Sequence, residues 1–345
     1  MMASPDVVKA RKKAALAVAV VAVFVVACLM VVEAVGMLAQ SKGIVEGREV
    51  ADSGAVEITE VEVPDEPFYV LLIGSDSRKG TALYTGRANE HSQVDQRSDI
   101  MTLMRVDPYT PTITLVTVPR DTKLEGTSEK INEALAADND PQAVVSVVEQ
   151  LTGVEIDYYA MTTFIGFEDF VDALGGVTVD VPQTVTVPDP STAKDVQVSA
   201  GDDKQLNGSQ ALVVARARKE YGDNQEALRQ INVRNIEESI IYKALDACFS
   251  SGSSGGAFPR MLDALFGNVT TNLDYNVVRE VAYQIAENID ALTFYSCTGP
   301  YEGENDENDL WTVEEDKEAW AELMAAVDAG EDPTGIVPIP EFPNS

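Results

Sequence analysis

The sequence predicts an α/β protein, and two observations carry that prediction. Three apolar segments of strand length stand close together: residues 68–73 (FYVLLI), 100–106 (IMTLMRV) and 112–118 (TITLVTV). Beyond Asp121, helical and strand patterns alternate, the pattern of a sheet covered by helices. Residues 107–111 (DPYTP) read as a proline-punctuated turn, so the second and third segments should pair as an antiparallel hairpin.

Each strand carries an arginine–aspartate cluster at one end. The first runs into Gly74-Ser75-Asp76-Ser77-Arg78, Arg97-Ser98-Asp99 precedes the second, and Pro119-Arg120-Asp121 ends the third. With the first strand antiparallel to the second, all three clusters fall on one rim. Guanidinium groups grip phosphate oxygens bidentately and carboxylates supply hard oxygen ligands for Mg²⁺, so this rim reads as a phosphate-handling site. One such pair would be no more than an exposed salt bridge worth little. Three on one edge argue for chemistry.

The later elements follow from periodicity. Residues 130–137 (KINEALAA) and 141–151 read as helices, the second ending at Gly153, and 157–161 as a short strand. Residues 163–174 read as a helix with Phe164, Phe167, Phe170, Val171 and Leu174 at helical spacing. Core packing is the simpler reading of those aromatics, and a wall for a lipid tail the functional one. Gly175-Gly176 turns the chain into a strand at 177–181, followed by a loop at 201–208 and a short helix at 209–215. Arg216 and Arg218 would point to different sides of a helix, so both reach one ligand only where the helix ends. A long helix at 226–249 precedes a Ser/Gly joint at 250–256. Residues 258–266, 277–288 and 313–329 read as further helices, with Thr312 and Glu315 as a capping box for the last, and 291–297 as a strand. From Gly330 the chain is proline-rich and acidic, a tail (330–345) expected to order poorly.

Composition sets the location. Residues 1–13 hold Lys9, Arg11, Lys12 and Lys13 against Asp6, and an uncharged apolar run at 14–32 follows, long enough to span a bilayer. The basic flank predicts a cytoplasmic N-terminus, with everything after Glu33 extracellular: an acidic stalk at 33–67 with an edge strand at 55–63, then the folded domain at 68–329. The rival readings fit less well. No small-residue cleavage site ends the apolar run, and the residues after Cys28 of the lipobox-like VVAC stay apolar. The full chain has a net charge of −32; removing the four basic residues and one acid of the N-terminal segment from 25 and 57 leaves 21 against 56, a net of −35. So acidic an exterior excludes nucleic-acid binding. His91 is the only histidine and lies in a polar loop at 79–96, which removes histidine-based metal hydrolysis. No Gly-rich phosphate loop ending in Lys-Ser/Thr is present, which removes nucleotide hydrolysis. Cys248 and Cys297 are the only cysteines beyond the apolar run, and an oxidising exterior favours a bridge between them over two buried thiols.

Seven motifs taken together resemble the LytR–CpsA–Psr (LCP) family: Gly74–Arg78, Arg97–Asp99, Pro119–Asp121, Lys130–Asn132, Val171–Val177 (VDALGGV), Arg216-Ala217-Arg218, and Asp223 with Arg229-Gln230. The resemblance is close over residues 68–233 and extends to Leu323. It implies a three-layer α/β/α fold with a central mixed sheet and a long apolar pocket for a polyprenyl chain, preceded by one N-terminal transmembrane helix. It also implies a membrane-anchored phosphotransferase that moves a glycopolymer from a polyprenyl-pyrophosphate carrier to peptidoglycan. The expected acceptor is the 6-hydroxyl of N-acetylmuramic acid and the product a phosphodiester. By that resemblance Arg78, Arg97, Arg120, Arg216, Arg218 and Arg229 hold the pyrophosphate, with Gln230 as a neutral donor. Asp76 and Asp223 hold Mg²⁺ (or Mn²⁺). Asp99 is either general base or orienter of an arginine, and Asp121 could be no more than a structural partner of Arg120. One position departs: the family pattern Asp-x-x-Arg-x-x-Arg-Gln reads here with Glu226 in place of the first arginine. A carboxylate there is expected to pair with Arg229 and compete with phosphate, or to bind metal. Two alternatives remain: a protein that binds the lipid-linked polymer without transferring it, and a hydrolase that uses water as acceptor.

Overall fold

The structure is a computed structural model that describes residues 64–77, 96–127, 129–135, 139–250, 260–261, 264, 266–306, 310–340 and 342. The predicted membrane span, its basic flank, the stalk before residue 64 and most of the 79–96 loop lie outside the described residues. Among the described residues no helix is long and apolar enough to cross a membrane.

The three predicted strands are β1 (Phe68–Ser75), β2 (Ser98–Asp107) and β3 (Thr112–Thr117). They pair antiparallel in sequence order, with Leu71 opposite Leu103 and Leu103 opposite Val116. Two parallel partners extend the sheet: β5 (Tyr158–Thr162) beside β1, and β11 (Thr293–Thr298) beside β3. With β10 (Val269–Thr271) on the outer edge, the six strands run β10-β5-β1-β2-β3-β11. The sheet is mixed, as the sequence predicts.

Strand alternation splits the core in two, because successive side chains point to opposite faces. On one face Phe68, Val70, Leu72, Val106 and Ile113 are buried under α2 (Phe164–Ala173), α3 (Gly208–Arg216), α4 (Gln225–Ser250) and α5 (Tyr275–Glu287). On the other, Tyr69, Leu71, Ile73, Leu103 and Val116 are buried under α1 (Pro141–Thr152) and α6 (Lys317–Asp328). Three layers result. Local chemistry sets the helix ends: Asp140 caps α1 by accepting from the Gln142 N–H at 2.9 Å, Pro141 fits its first position, and Gly153 stops it in the left-handed region.

Five sequence expectations need correction. Of residues 130–137, those described (130–135) form one 3-10 turn, Ile131–Glu133, with Ile131 and Asn132 buried at the sheet's end, where the Asn132 N–H donates to the Arg120 carbonyl at 3.3 Å. The 201–208 loop is a strand, β9 (Gly201–Leu206), paired with β6 (Val177–Val181); a hairpin of β7 (Val185–Asp189) and β8 (Lys194–Val198) lies between them in sequence. Thr312 caps no helix: it lies in β13 (Trp311–Glu314), which pairs with β4 (Thr122–Lys123) and β12 (Gly303–Asn305), and Asp316 caps α6 instead. Cys297 is a free buried thiol with its pKa pushed up to about 12 by burial. It faces the α1–α6 side of the sheet, whereas α4, which carries Cys248, packs on the other; the side chain of Cys248 lies outside the described residues. Finally, described residues after Gly330 pack on the domain: Val337 is buried, and Phe342 meets Tyr221 edge to face at 5.5 Å.

Gly299, just past β11, has no room for a side chain. A Cβ there would fall inside the ring of Trp320, which is fully buried on α6. Gly299→Ala is expected to cost about 2 kcal/mol through overpacking, read as a lowered thermal midpoint with the ligand-binding residues untouched.

Candidate functional site

The rim forms as strand order requires. At the end of β1, Ser75 pairs with Ser98 at the start of β2, and the Val118 N–H after β3 donates to the Met101 carbonyl at 2.9 Å. Asp76 and Arg97 clasp each other through backbone: the Arg97 N–H donates to Asp76 Oδ1 at 2.8 Å and the Asp76 N–H to the Arg97 carbonyl at 3.1 Å. Arg120 reaches back to Asp99, with which it forms an ion pair. The first turn of α4 lies over this edge, and Arg229 donates from Nη2 to the Asp99 carbonyl at 3.1 Å.

α3 ends at Arg216, Ala217 is extended, and Arg218 departs from helical geometry. The two arginines therefore leave the helix axis together and line one cavity, as their spacing predicts. The Arg216 guanidinium stacks 4.8 Å above the Phe164 ring and donates to the Pro188 carbonyl at 2.8 Å.

Glu226 is the hub. Its carboxylate accepts from Arg229 at 2.5 and 3.1 Å and from Gln230 Nε2 at 3.4 Å, and lies 3.2 Å from Arg218 Nε and 3.6 Å from Arg120 Nε in ion pairs. Burial opposes its ionisation, but Arg229, Arg218 and Arg120 outweigh that and hold its pKa down at about 2. Burial, reinforced by Arg229, brings the Arg218 guanidinium down to about 10 despite Glu226 beside it. Burial also lowers Arg120, but Asp99, Glu226 and Asp121 more than reverse it. Three guanidiniums thus converge on one anion, and that anion belongs to the chain itself.

Three cavities adjoin this hub. One of about 250 Å³ is lined by Asp99, Arg120, Phe164, Arg216, Arg218 and Arg229. It shares Gly74, Ile100, Thr162, Phe167 and Ala215 with a narrow apolar cavity of about 70 Å³ that runs under α2 and α4 past Phe170, Val233 and Ile240. On the other side Arg120 and Arg218 open onto a cleft of about 830 Å³, bounded by the first turn of α4, β12 and β13. The apolar residues of α2 therefore divide their work: Val171 is core, Phe170 is core and edges the narrow cavity, Phe164 carries Arg216, and Phe167 lines both smaller cavities.

Of the predicted site residues, Asp99, Arg120, Arg216, Arg218, Arg229 and Gln230 come together. Arg97 does not: its side chain is half exposed and pairs with Glu133 at 3.4 Å. Asp121 lies 3.4 Å from Arg120 Nε and 2.7 Å from Lys130 Nζ, a structural partner to both. Arg78 and the side chain of Asp223 lie outside the described residues. Lys130 lines the large cleft, a role the Lys-Ile-Asn motif pointed to without assigning.

Glu237 was not foreseen. It lines the narrow apolar cavity, accepts from the Thr102 hydroxyl at 3.0 Å, and has no partner for Oε2. Burial drives its pKa up to about 7. A raised folded-state pKa stabilises fully below the unfolded value near 4.5 and is lost as pH rises through 7. Stability should therefore fall between pH 4.5 and 7 by up to roughly 3 kcal/mol from this group, read as a falling melting midpoint, and Glu237→Gln should flatten that slope.

A family model described as the LytR_cpsA_psr family matches residues 35–325. The chain belongs to that family. The polyisoprenyl-teichoic acid–peptidoglycan teichoic acid transferase TagU of Bacillus mycoides (strain KBAB4) is 34% identical over 228 residues, 64% of this chain and 65% of the relative. The match thus spans just under two thirds of that relative's length. The crystal structure of B. subtilis TagV superposes with a TM-score of 0.60 at 23% identity, over 77% of this chain and 97% of that one. A structure of TagT bound to LI-WTA gives 0.56 at 21%, over 79% and 94%. At these identities the likeness speaks for the fold alone, and this LytR_cpsA_psr protein shares its mixed α/β sheet.

In this LytR_cpsA_psr protein, no group of three acidic, histidine or cysteine side chains close enough to hold a metal ion occurs among the described residues. Mg²⁺ does not demand one, because it usually keeps its waters and takes one or two carboxylates plus substrate phosphates. Asp76, on the rim, fits that donor set.

Proposed function

We propose that this chain is an extracytoplasmic, membrane-anchored phosphotransferase, held by a single N-terminal span, that moves a glycopolymer from a polyprenyl-pyrophosphate carrier to a peptidoglycan hydroxyl. The observation that carries this reading is the convergence of Arg120, Arg218 and Arg229 on one anion at the mouth of an apolar cavity. The arginines suit a pyrophosphate head; the apolar cavity beside them, which at about 70 Å³ is smaller than the long pocket the resemblance implies, marks where a hydrocarbon tail would enter and would have to widen to hold it. The family and the activity in the name of the Bacillus mycoides relative point the same way.

The acceptor hydroxyl oxygen attacks the glycan-bearing phosphorus, the bond from that phosphorus to the bridging oxygen breaks, and polyprenyl phosphate leaves. The glycan phosphate is then joined to peptidoglycan as a phosphodiester. Charge gathers on the bridging and equatorial oxygens, where Arg120, Arg218 and Arg229 neutralise it; Arg216 and Gln230 add donors. Asp99, ion-paired with Arg120, either orients that arginine or takes the hydroxyl proton. Asp76 and Asp223 would hold Mg²⁺ or Mn²⁺, which would supply further charge neutralisation at the pyrophosphate.

Glu226 supports a second reading: with the arginines already satisfied, the chain binds the lipid-linked polymer and transfers it slowly or not at all. One experiment separates the two. Full-length protein in detergent is given Mg²⁺ and a polyprenyl-pyrophosphate-linked sugar, with and without peptidoglycan. Acceptor-dependent release of polyprenyl phosphate establishes transfer. Release without acceptor means hydrolysis, and tight binding without release means a carrier.

A further inference from the structure

The large cleft beside the arginines carries an aromatic wall that phosphate chemistry does not need. Trp311 on β13 lines it while 47% exposed, and Val313 lines it too, as strand alternation requires. Tyr301 forms the adjoining wall, its hydroxyl donating to the Pro338 carbonyl at 3.0 Å so that the ring is held in place. Large aromatic surfaces exposed in a concave, half-polar setting mark ligand contact rather than core.

The charge around this wall narrows the ligand. Glu302 lines the cleft, and Glu304, Glu314 and Glu315 continue along the same edge. Inside the cleft Lys130, Arg120 and Arg218 balance Asp121, Glu226 and Glu302, whereas the edge beside the aromatic wall is mainly acidic and disfavours an anionic surface there. Carboxylates instead accept from sugar hydroxyls and acetamido N–H groups, while aromatic faces pack on the C–H face of a pyranose ring. The cleft also opens onto Arg120 and Arg218, the two guanidiniums it shares with the phosphate cavity. A sugar bound there lies next to the phosphate yet on the side away from the apolar cavity.

We infer that this cleft binds the neutral N-acetylhexosamine strand that accepts the transfer, with Trp311 and Tyr301 as its stacking platforms. The word acceptor rests on the phosphotransfer reading; the glycan site itself does not.

The test uses the full-length chain and an N-acetylglucosamine tetramer as probe. The sequence has two tryptophans, and Trp320 is buried, so a sugar-dependent change in tryptophan fluorescence reports Trp311. A saturable change is expected. By calorimetry the binding should be lost in Trp311→Ala and kept in Trp311→Tyr; the exposed position leaves the fold intact. In transfer assays Trp311→Ala should raise the acceptor KM about tenfold and leave the donor KM where it was. No response to the tetramer, or wild-type binding by Trp311→Ala, overturns the inference. So does a Trp311-dependent response to inorganic pyrophosphate or phosphatidylglycerol vesicles instead, which would assign the wall to donor or membrane. Glycan binding is read without donor, so it stands or falls separately from transfer activity.

Discussion

Glu226→Arg is expected to raise glycopolymer transfer about tenfold, equivalent to roughly 1.4 kcal/mol off the barrier. The carboxylate now sits among Arg229, Arg218 and Arg120, the position in which a phosphate would satisfy the same donors. A donor must displace it before the arginines can grip. With its pKa held near 2, Glu226 stays ionised at every pH where the protein works, so acidification to pH 5 will not relieve the competition. The substitution should also show its cost. Without substrate four clustered guanidiniums lose their counter-ion, and the variant should melt earlier, by about 1–2 kcal/mol after allowing for partial exposure. Inorganic pyrophosphate should restore the midpoint by binding the folded state. Unchanged turnover together with unchanged melting would sink the idea that Glu226 blocks the grip.

Arg120→Ala and Arg218→Ala are expected to lower donor cleavage by about 10²–10³, the range for removing a preorganised charge at developing oxyanions. Both line the phosphate cavity and both face Glu226. Arg120 also neutralises Asp99 and Asp121, so its loss leaves two carboxylates facing the substrate. Arg120→Lys should recover only part of the rate, because an ammonium cannot make the paired, planar contacts of a guanidinium. Arg97→Ala gives the contrast. Its guanidinium is exposed and engaged by Glu133, so the loss should stay within about threefold. Equal losses at all three positions, measured as kcat with saturating donor, would overturn this division.

The rim was legible because its causes are local. Apolar runs, a DPYTP turn and charges at strand ends are all visible along the chain, and the antiparallel order then brings the clusters together. The exit of Arg216 and Arg218 from α3 was legible for the same reason. What could not be read depends on distant partners. Strand β9 reads GDDKQL with only Leu206 buried, so no period-2 pattern announces it. Thr312 and Glu315 fit a capping box, but pairing with β4 claims the segment as strand before α6 can start there. Glu226 was visible as an oddity, yet its contacts to Arg120 and Arg218 arise from three separate segments. Arg97 carried the same motif signal as Arg120 but is claimed by Glu133, an outcome set by tertiary geometry.

Arg229 donates to the carbonyl of Asp99, a residue 130 positions earlier. The β1–β2–β3 meander needs only short loops, whereas this contact waits for long ones to close, and such contacts slow folding. Until then the newly made α4 would present Arg229 to solvent. Glu226 lies one helical turn away and needs no long-range closure to reach it. The carboxylate proposed to compete with substrate is thus also a local partner available to its arginine before the long-range contact closes.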